Sequence, residues 1–173
     1  MVGTEESRLV LVRGNSASGK SSVEAGLRER FGRGLPLVGQ DNSRRIVLRE
    51  RDRPGAANIG LIDLTARYVL DAGHHVVVEG ILYADMLAQL RTDHRGPTRG
   101  YYLDVPFAET LARHASKPIA DDVNETQLRD WYRELDLLPG ATETVIGADS
   151  TLHETVDRTM NGTGLAHLPA VDR

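Results

Sequence analysis

The sequence predicts an α/β fold, a doubly wound sheet of five parallel strands with helices on both faces, and three features lead to it. Short apolar runs alternate with segments of helical period along the whole length. A glycine-rich loop, Gly14 to Ser21, follows the first apolar run directly and runs into a helical pattern. The remaining apolar runs end in glycine or acidic residues, as strands do when their carboxyl ends converge on a ligand. With 173 residues the chain matches one domain, so residues 1–173 are expected to form a single unit with a small lid over about 113–135 and a mobile tail over about 161–173.

Arg8–Arg13 reads as the first strand, and Val23, Leu27 and Phe31 place a helix after the loop at helical spacing. Leu35–Val38 is a short second strand after the turn Gly32-Arg33-Gly34. Asp41 to Arg53 reads as helical and arginine-rich up to Pro54-Gly55. Ile59, Ile62, Ala66 and Val69 then mark an amphipathic helix stopping at Gly73. The third strand is His75–Glu79, whose valine run suits a strand buried on both faces. Ala84–Arg91 is helical and Tyr101–Val105 is the fourth strand. Pro106 opens a helix to about Ala115. A polar stretch, Ser116–Asn124, precedes a helix near Glu125–Leu135 and a break at Pro139-Gly140. Glu143–Ile146 is the last strand and Thr151–Met160 the last helix, with Thr151 and Glu154 spaced for a capping box.

Composition narrows the function. A net charge of −4 gives no overall basic field, so neither nucleic acid nor an anionic membrane is the expected partner. No cysteine is present, which removes disulfides, thiolate metal sites and a cysteine nucleophile together. No apolar stretch approaches 18 residues and the first residues lack an apolar core segment, so a cytoplasmic protein is expected. Of 21 basic residues only Lys20 and Lys117 are lysine, a bias that a GC-rich genome explains. Oligomeric state stays open.

Gly14-Asn15-Ser16-Ala17-Ser18-Gly19-Lys20-Ser21 has the spacing of a phosphate-binding P-loop, and Ser22 continues into the helix. A triphosphate is wrapped at close range by backbone N–H groups, which Gly14 and Gly19 permit by lacking a Cβ. Lys20 supplies a point charge for the β/γ-phosphates, Ser21 a hydroxyl for Mg²⁺, and the helix N-terminus its positive dipole end. The expected cofactors are therefore ATP and Mg²⁺ in a P-loop NTPase fold.

Asp41 follows the second strand, where a carboxylate can orient an acceptor hydroxyl and take its proton; as Asp it could equally cap the helix that follows. Arg44 and Arg45 beside it suit an anionic substrate, Arg44 ahead of Arg45. Glu79 ends the valine strand, to orient Mg²⁺ or face the acceptor, with Asp104 as its rival at the end of the fourth strand. Tyr83 joins the substrate-facing set. Arg113 and Lys117 lie where a lid could bring cations to the γ-phosphate, and Arg129 and Arg133 could join them. His74-His75 point to opposite faces of a strand and do not make a metal site. Trp131 and Tyr132 fit helix packing better than base stacking.

Gly14–Ser21, Gln40-Asp41-Asn42, the strand end Glu79-Gly80 and the Arg113–Lys117 region together resemble the P-loop kinases that phosphorylate small molecules: chloramphenicol phosphotransferase, zeta-type toxins and adenylylsulfate kinase. Gln40 to Arg44 is similar to the Gly-Asp-Asn-x-Arg stretch of adenylylsulfate kinases, and Val78-Glu79-Gly80 to the matching strand end of zeta toxins. The resemblance implies that Asp41 is the base and that a hydroxyl of a small molecule, such as an antibiotic or other natural product, accepts the phosphoryl group. A zeta-like nucleotide-sugar kinase held by an antitoxin is the second implied reading. A nucleotide-dependent regulatory binding protein is a third; the sequence lacks an Asn-Lys-x-Asp guanine motif, and that reading leaves Asp41 without a role.

Overall fold

The computed structural model describes residues 1–51, 53, 55–116, 123–140 and 142–170. Five parallel strands, β1 (Leu9–Gly14), β2 (Leu37–Gly39), β3 (Val76–Gly80), β4 (Thr98–Asp104) and β5 (Glu143–Gly147), form one sheet in the order β2-β3-β1-β4-β5. This is the P-loop NTPase arrangement, with β1 central. Because neighbouring side chains on a strand face opposite ways, β1 feeds two cores. Leu9 and Leu11 pack with Ile62, Ala66 and Leu70 of α2 (Asn58–Asp71) and Leu90 of α3 (Ala88–Asp93). Val10 and Val12 pack with Val23, Leu27 and Phe31 of α1 (Lys20–Phe31) and Val156 and Met160 of α6 (Leu152–Thr163). Two further helices, α4 (Phe107–Ala115) and α5 (Glu125–Trp131), lie beyond the carboxyl end of β4. No helix among the described residues is long and apolar enough to cross a membrane.

Most elements form where the pattern places them, and the departures have local causes. The arginine-rich segment after β2 is a π-helix over Asn42–Val47 rather than a longer α-helix. The Ser43 hydroxyl donates to Gly39 O at 3.0 Å, a back-bond that competes with the helical ladder, and Arg49 at φ +50° ends the element. Glu50 then accepts from the N–H groups of Ala57 (3.1 Å) and Asn58 (2.8 Å), closing the start of α2. α3 begins at Ala88, later than the expected Ala84, because Leu87 sits at φ +57°. α5 stops at Trp131, short of Leu135, whose own φ is +45°. Thr151 and Glu154 form the expected capping box of α6. Past Asn161, where a mobile tail was expected, α6 continues to Thr163 and Leu165 is buried in the second core. Residues 171–173 lie outside the described residues.

Candidate functional site

The register of the sheet brings the strand ends together: Gly39 and Val12 flank Glu79, and Gly14 sits opposite Leu103. At Gly14 φ is +145° and a Cβ would stand 2.7 Å from Leu103 O, so the loop leaves β1 along a path that only glycine takes. Gly19, at φ +100°, turns the loop into α1. Ala17 is held left-handed at φ +59° between them, a local strain of the kind found where a loop is shaped for a ligand.

Two clefts meet at this loop. One, of about 110 Å³, is lined by Lys20, Ser21, Asp41, Arg44, Arg45 and Glu79 among others. Ser16, Ala17, Gly19 and Ser22 also border it, so most of the expected phosphate and acceptor residues share one space. Lys20 is buried and its ammonium donates to Asn15 O at 2.7 Å. Ser21 Oγ lies 3.5 Å from Glu79 Oε1, and Glu79 is buried. A hydroxyl and a carboxylate adjacent to a lysine are hard oxygen donors suited to Mg²⁺. Asp104, at the end of β4, is absent from the lining of this cleft.

Asp41 stands at the N-terminus of the π-helix without a capping hydrogen bond from its side chain. Its Oδ1 instead accepts from Arg44 Nη2 at 3.1 Å and Arg45 Nε at 3.2 Å, and the side chain is 66% exposed. Partial enclosure pushes its carboxyl up, but the charge of Arg45 and the hydrogen bond and charge of Arg44 outweigh it, leaving the pKa below the usual value. Asp41 is thus ionised at neutral pH. Glu24, one turn after Ser21, behaves oppositely: burial and the Glu79 carboxylate raise it to about 7, against the charge of Arg28.

The second cleft, about 370 Å³, opens on the other side of the loop between Ser18, Val105, Arg113, Gly147 and Thr151. Sequence reasoning named the region after Ile146 as a strand end but selected no residue there. Arg113 Nη1 donates to Ser18 O at 3.4 Å and its other nitrogen pairs with Glu109, so this cation rests on the phosphate loop.

Other expected site residues stand elsewhere. Arg133 lies over the Tyr83 ring, 5.3 Å from its centroid, beside a recess that also includes Gly14 and Asn15. Arg129 pairs with Glu125 at 2.9 Å and covers the Phe107 ring at 4.5 Å. None of Tyr83, Arg129 and Arg133 lines the first cleft. Lys117 lies outside the described residues, as does residue 118–122 of the expected lid. Trp131, read from sequence as helix packing, lines the first cleft with Val123 and His114. Helical spacing alone gave no signal for this, because it does not show which part of the chain lies opposite the end of α5.

No protein-family model matches the chain, and no curated protein matches it. Solved structures do share its fold. The APS kinase of Mycobacterium tuberculosis, in complex with AMPPNP and APS, superimposes with a TM-score of 0.68 at 17% identity over 95% of this chain and 100% of the other. A gluconokinase from Sinorhizobium meliloti gives 0.65 at 18% identity over 95% of each chain. The Deinococcus radiodurans tunicamycin resistance protein gives 0.61 at 18% identity over 92% of this chain and 96% of the other. The chain is similar in fold to these P-loop small-molecule kinases.

Proposed function

We propose that this chain is a cytoplasmic ATP- and Mg²⁺-dependent kinase that transfers the γ-phosphoryl group to a hydroxyl of a small molecule, such as an antibiotic or other natural product. The observation that carries the reading is Asp41: it caps nothing, is ionised, and shares a cleft with Lys20 and Ser21. A carboxylate so placed serves a proton transfer that nucleotide binding alone does not need.

In this account the nucleoside occupies the cleft beside Gly147 and Thr151, and the triphosphate crosses the loop into the cleft holding Lys20. The acceptor enters beside Asp41. Asp41 orients the acceptor hydroxyl and takes its proton as the acceptor oxygen bonds to the γ-phosphorus and the bond to the β-phosphate oxygen breaks. Lys20 and Arg113 hold charge on the transferring group, and Arg44 and Arg45 set the direction of Asp41 while offering a cationic wall to the acceptor. Ser21 and Glu79 fit Mg²⁺ as oxygen donors and would hold it beside Lys20, where it would supply neutralisation of the phosphate charge.

A phosphorylation screen with γ-labelled ATP over nucleosides, nucleotide-sugars, aminoglycosides and other hydroxylated antibiotics tests the reading. Label transferred to one acceptor class, dependent on Mg²⁺, is the expected result. Nucleotide binding with no transfer across the panel favours the regulatory alternative.

A further inference from the structure

The Asn15 side chain reaches from the phosphate loop across to the end of α5, and its contacts there are reciprocal. Nδ2 donates to Arg133 O at 2.8 Å, and Oδ1 accepts from Arg133 N at 2.8 Å. The amide thus grips both backbone groups of a single residue, as a neighbouring strand would. Tyr102 OH reinforces the grip, donating to Arg133 O at 3.0 Å while accepting from Asn15 Nδ2 at 3.3 Å. Asn15 is 4% exposed, so water does not replace these bonds when they break.

Two residues before Arg133 stands Trp131, a wall of the acceptor-side cleft, with its carbonyl accepting from Tyr83 OH at 3.4 Å. At the other end of the chain of contacts, the main-chain carbonyl of Asn15 accepts from Lys20 Nζ at 2.7 Å. A triphosphate arriving at Lys20 draws on the same ammonium group, and so acts directly on the residue whose side chain holds Arg133. We infer that Asn15 is a positioning residue that couples occupancy of the phosphate loop to the placement of Trp131 in the acceptor cleft. The inference rests on the proposed nucleotide site and adds to it an order of events: nucleotide binding sets the acceptor wall. The coupling element is concrete, a lysine shared between a loop carbonyl and a ligand, rather than proximity alone.

Trp131 is the sole tryptophan, so emission excited beyond the absorption of the tyrosines reports this wall. Wild type, Asn15→Ala and Tyr102→Phe are titrated with the non-hydrolysable analogue AMPPNP and Mg²⁺, with saturation established by calorimetry and fold by melting curves. In wild type, saturation shifts the emission and changes its quenching by acrylamide. In Asn15→Ala, the saturated protein loses most of that change, and Tyr102→Phe loses part of it while melting close to wild type. A merely structural Asn15 lowers the melting temperature and leaves the nucleotide-induced change intact, which overturns the inference. So does saturation of wild type with no change in emission. Absence of any binding heat in wild type removes the nucleotide site itself and, with it, the proposed kinase. Should Asn15→Ala fail to fold, Tyr102→Phe decides alone: an undiminished emission change in that variant overturns the coupling.

Discussion

Arg13 lies inside the sheet with its side chain 1% exposed, and replacing it with methionine tests what holds the loops around the site. Its guanidinium donates to Glu143 Oε2 at 2.7 Å, Asp136 Oδ2 at 3.0 Å, Asp136 O at 2.8 Å and Leu82 O at 2.6 Å. It joins β1 and β5 to the segment after α5 and to the segment after β3. Asp136 keeps 27% exposure and regains water when Arg13 is lost, but the Glu143 side chain is 1% exposed and cannot. Removing one member of a buried pair costs about 3–5 kcal/mol, chiefly through the charge left behind. For a chain of 173 residues that corresponds to a melting temperature lower by about 8–14 °C. The double variant Arg13→Met with Glu143→Gln removes the stranded charge and should recover roughly half of the loss. Calorimetric or circular dichroism melts read both. A single variant within about 2 °C of wild type, or a double variant less stable than the single, refutes the stranded-charge argument.

Lys20→Ala should abolish phosphoryl transfer while the melting curve stays near wild type, because Lys20 donates to Asn15 O and Ser18 Oγ of its own loop and its main task is the phosphates; retained turnover contradicts this. Ser21→Ala should raise the Mg²⁺ concentration needed for half-maximal activity, read from a metal titration at fixed ATP, and an unchanged titration removes Ser21 from the metal. Glu24 gives a pH signature. Its folded pKa of about 7 exceeds the ordinary 4.5, so its ionisation destabilises the fold progressively as pH rises from 4.5 to 7 and fully above that. In Mg²⁺-free buffer Glu24→Gln should therefore be more stable than wild type by about 1–3 kcal/mol at pH 8 and gain little near pH 4.5, measured by urea unfolding; equal gains at the two pH values contradict the assignment.

The sheet was legible because both signals that define it are local. Val76, Val77 and Val78 read as a strand buried on both faces, and they are fully buried in β3. Gly14 and Gly19 were readable for a similar reason, since each sits at a positive φ that residues with a Cβ rarely adopt. The capping box of Thr151 and Glu154 is likewise a local bond pattern. What the sequence hid depends on distant partners. The π-helix after β2 arises from a hydroxyl bonding back to Gly39, and the early end of α5 coincides with Asn15 holding Arg133 from 118 residues away. Arg129 and Arg133 share a helical face in sequence yet find aromatic rings, Phe107 and Tyr83, instead of the acceptor cleft. Charge pattern shows which residues can bind an anion, and only the fold decides which of them face one.

The central claim is that Asp41 takes the acceptor proton, and Asp41→Asn tests it most directly. The substitution keeps the size of the side chain, and the two ion pairs it removes are at a largely exposed carboxylate, worth about 0–1 kcal/mol each. The fold should therefore survive. With the acceptor identified by the labelled-ATP screen, single-turnover transfer and ATP affinity are measured on wild type and Asp41→Asn under the same conditions. Transfer should fall by about 10²–10⁴-fold while ATP affinity changes little. Near-wild-type transfer in Asp41→Asn would contradict the account and move the search for the base to Glu79.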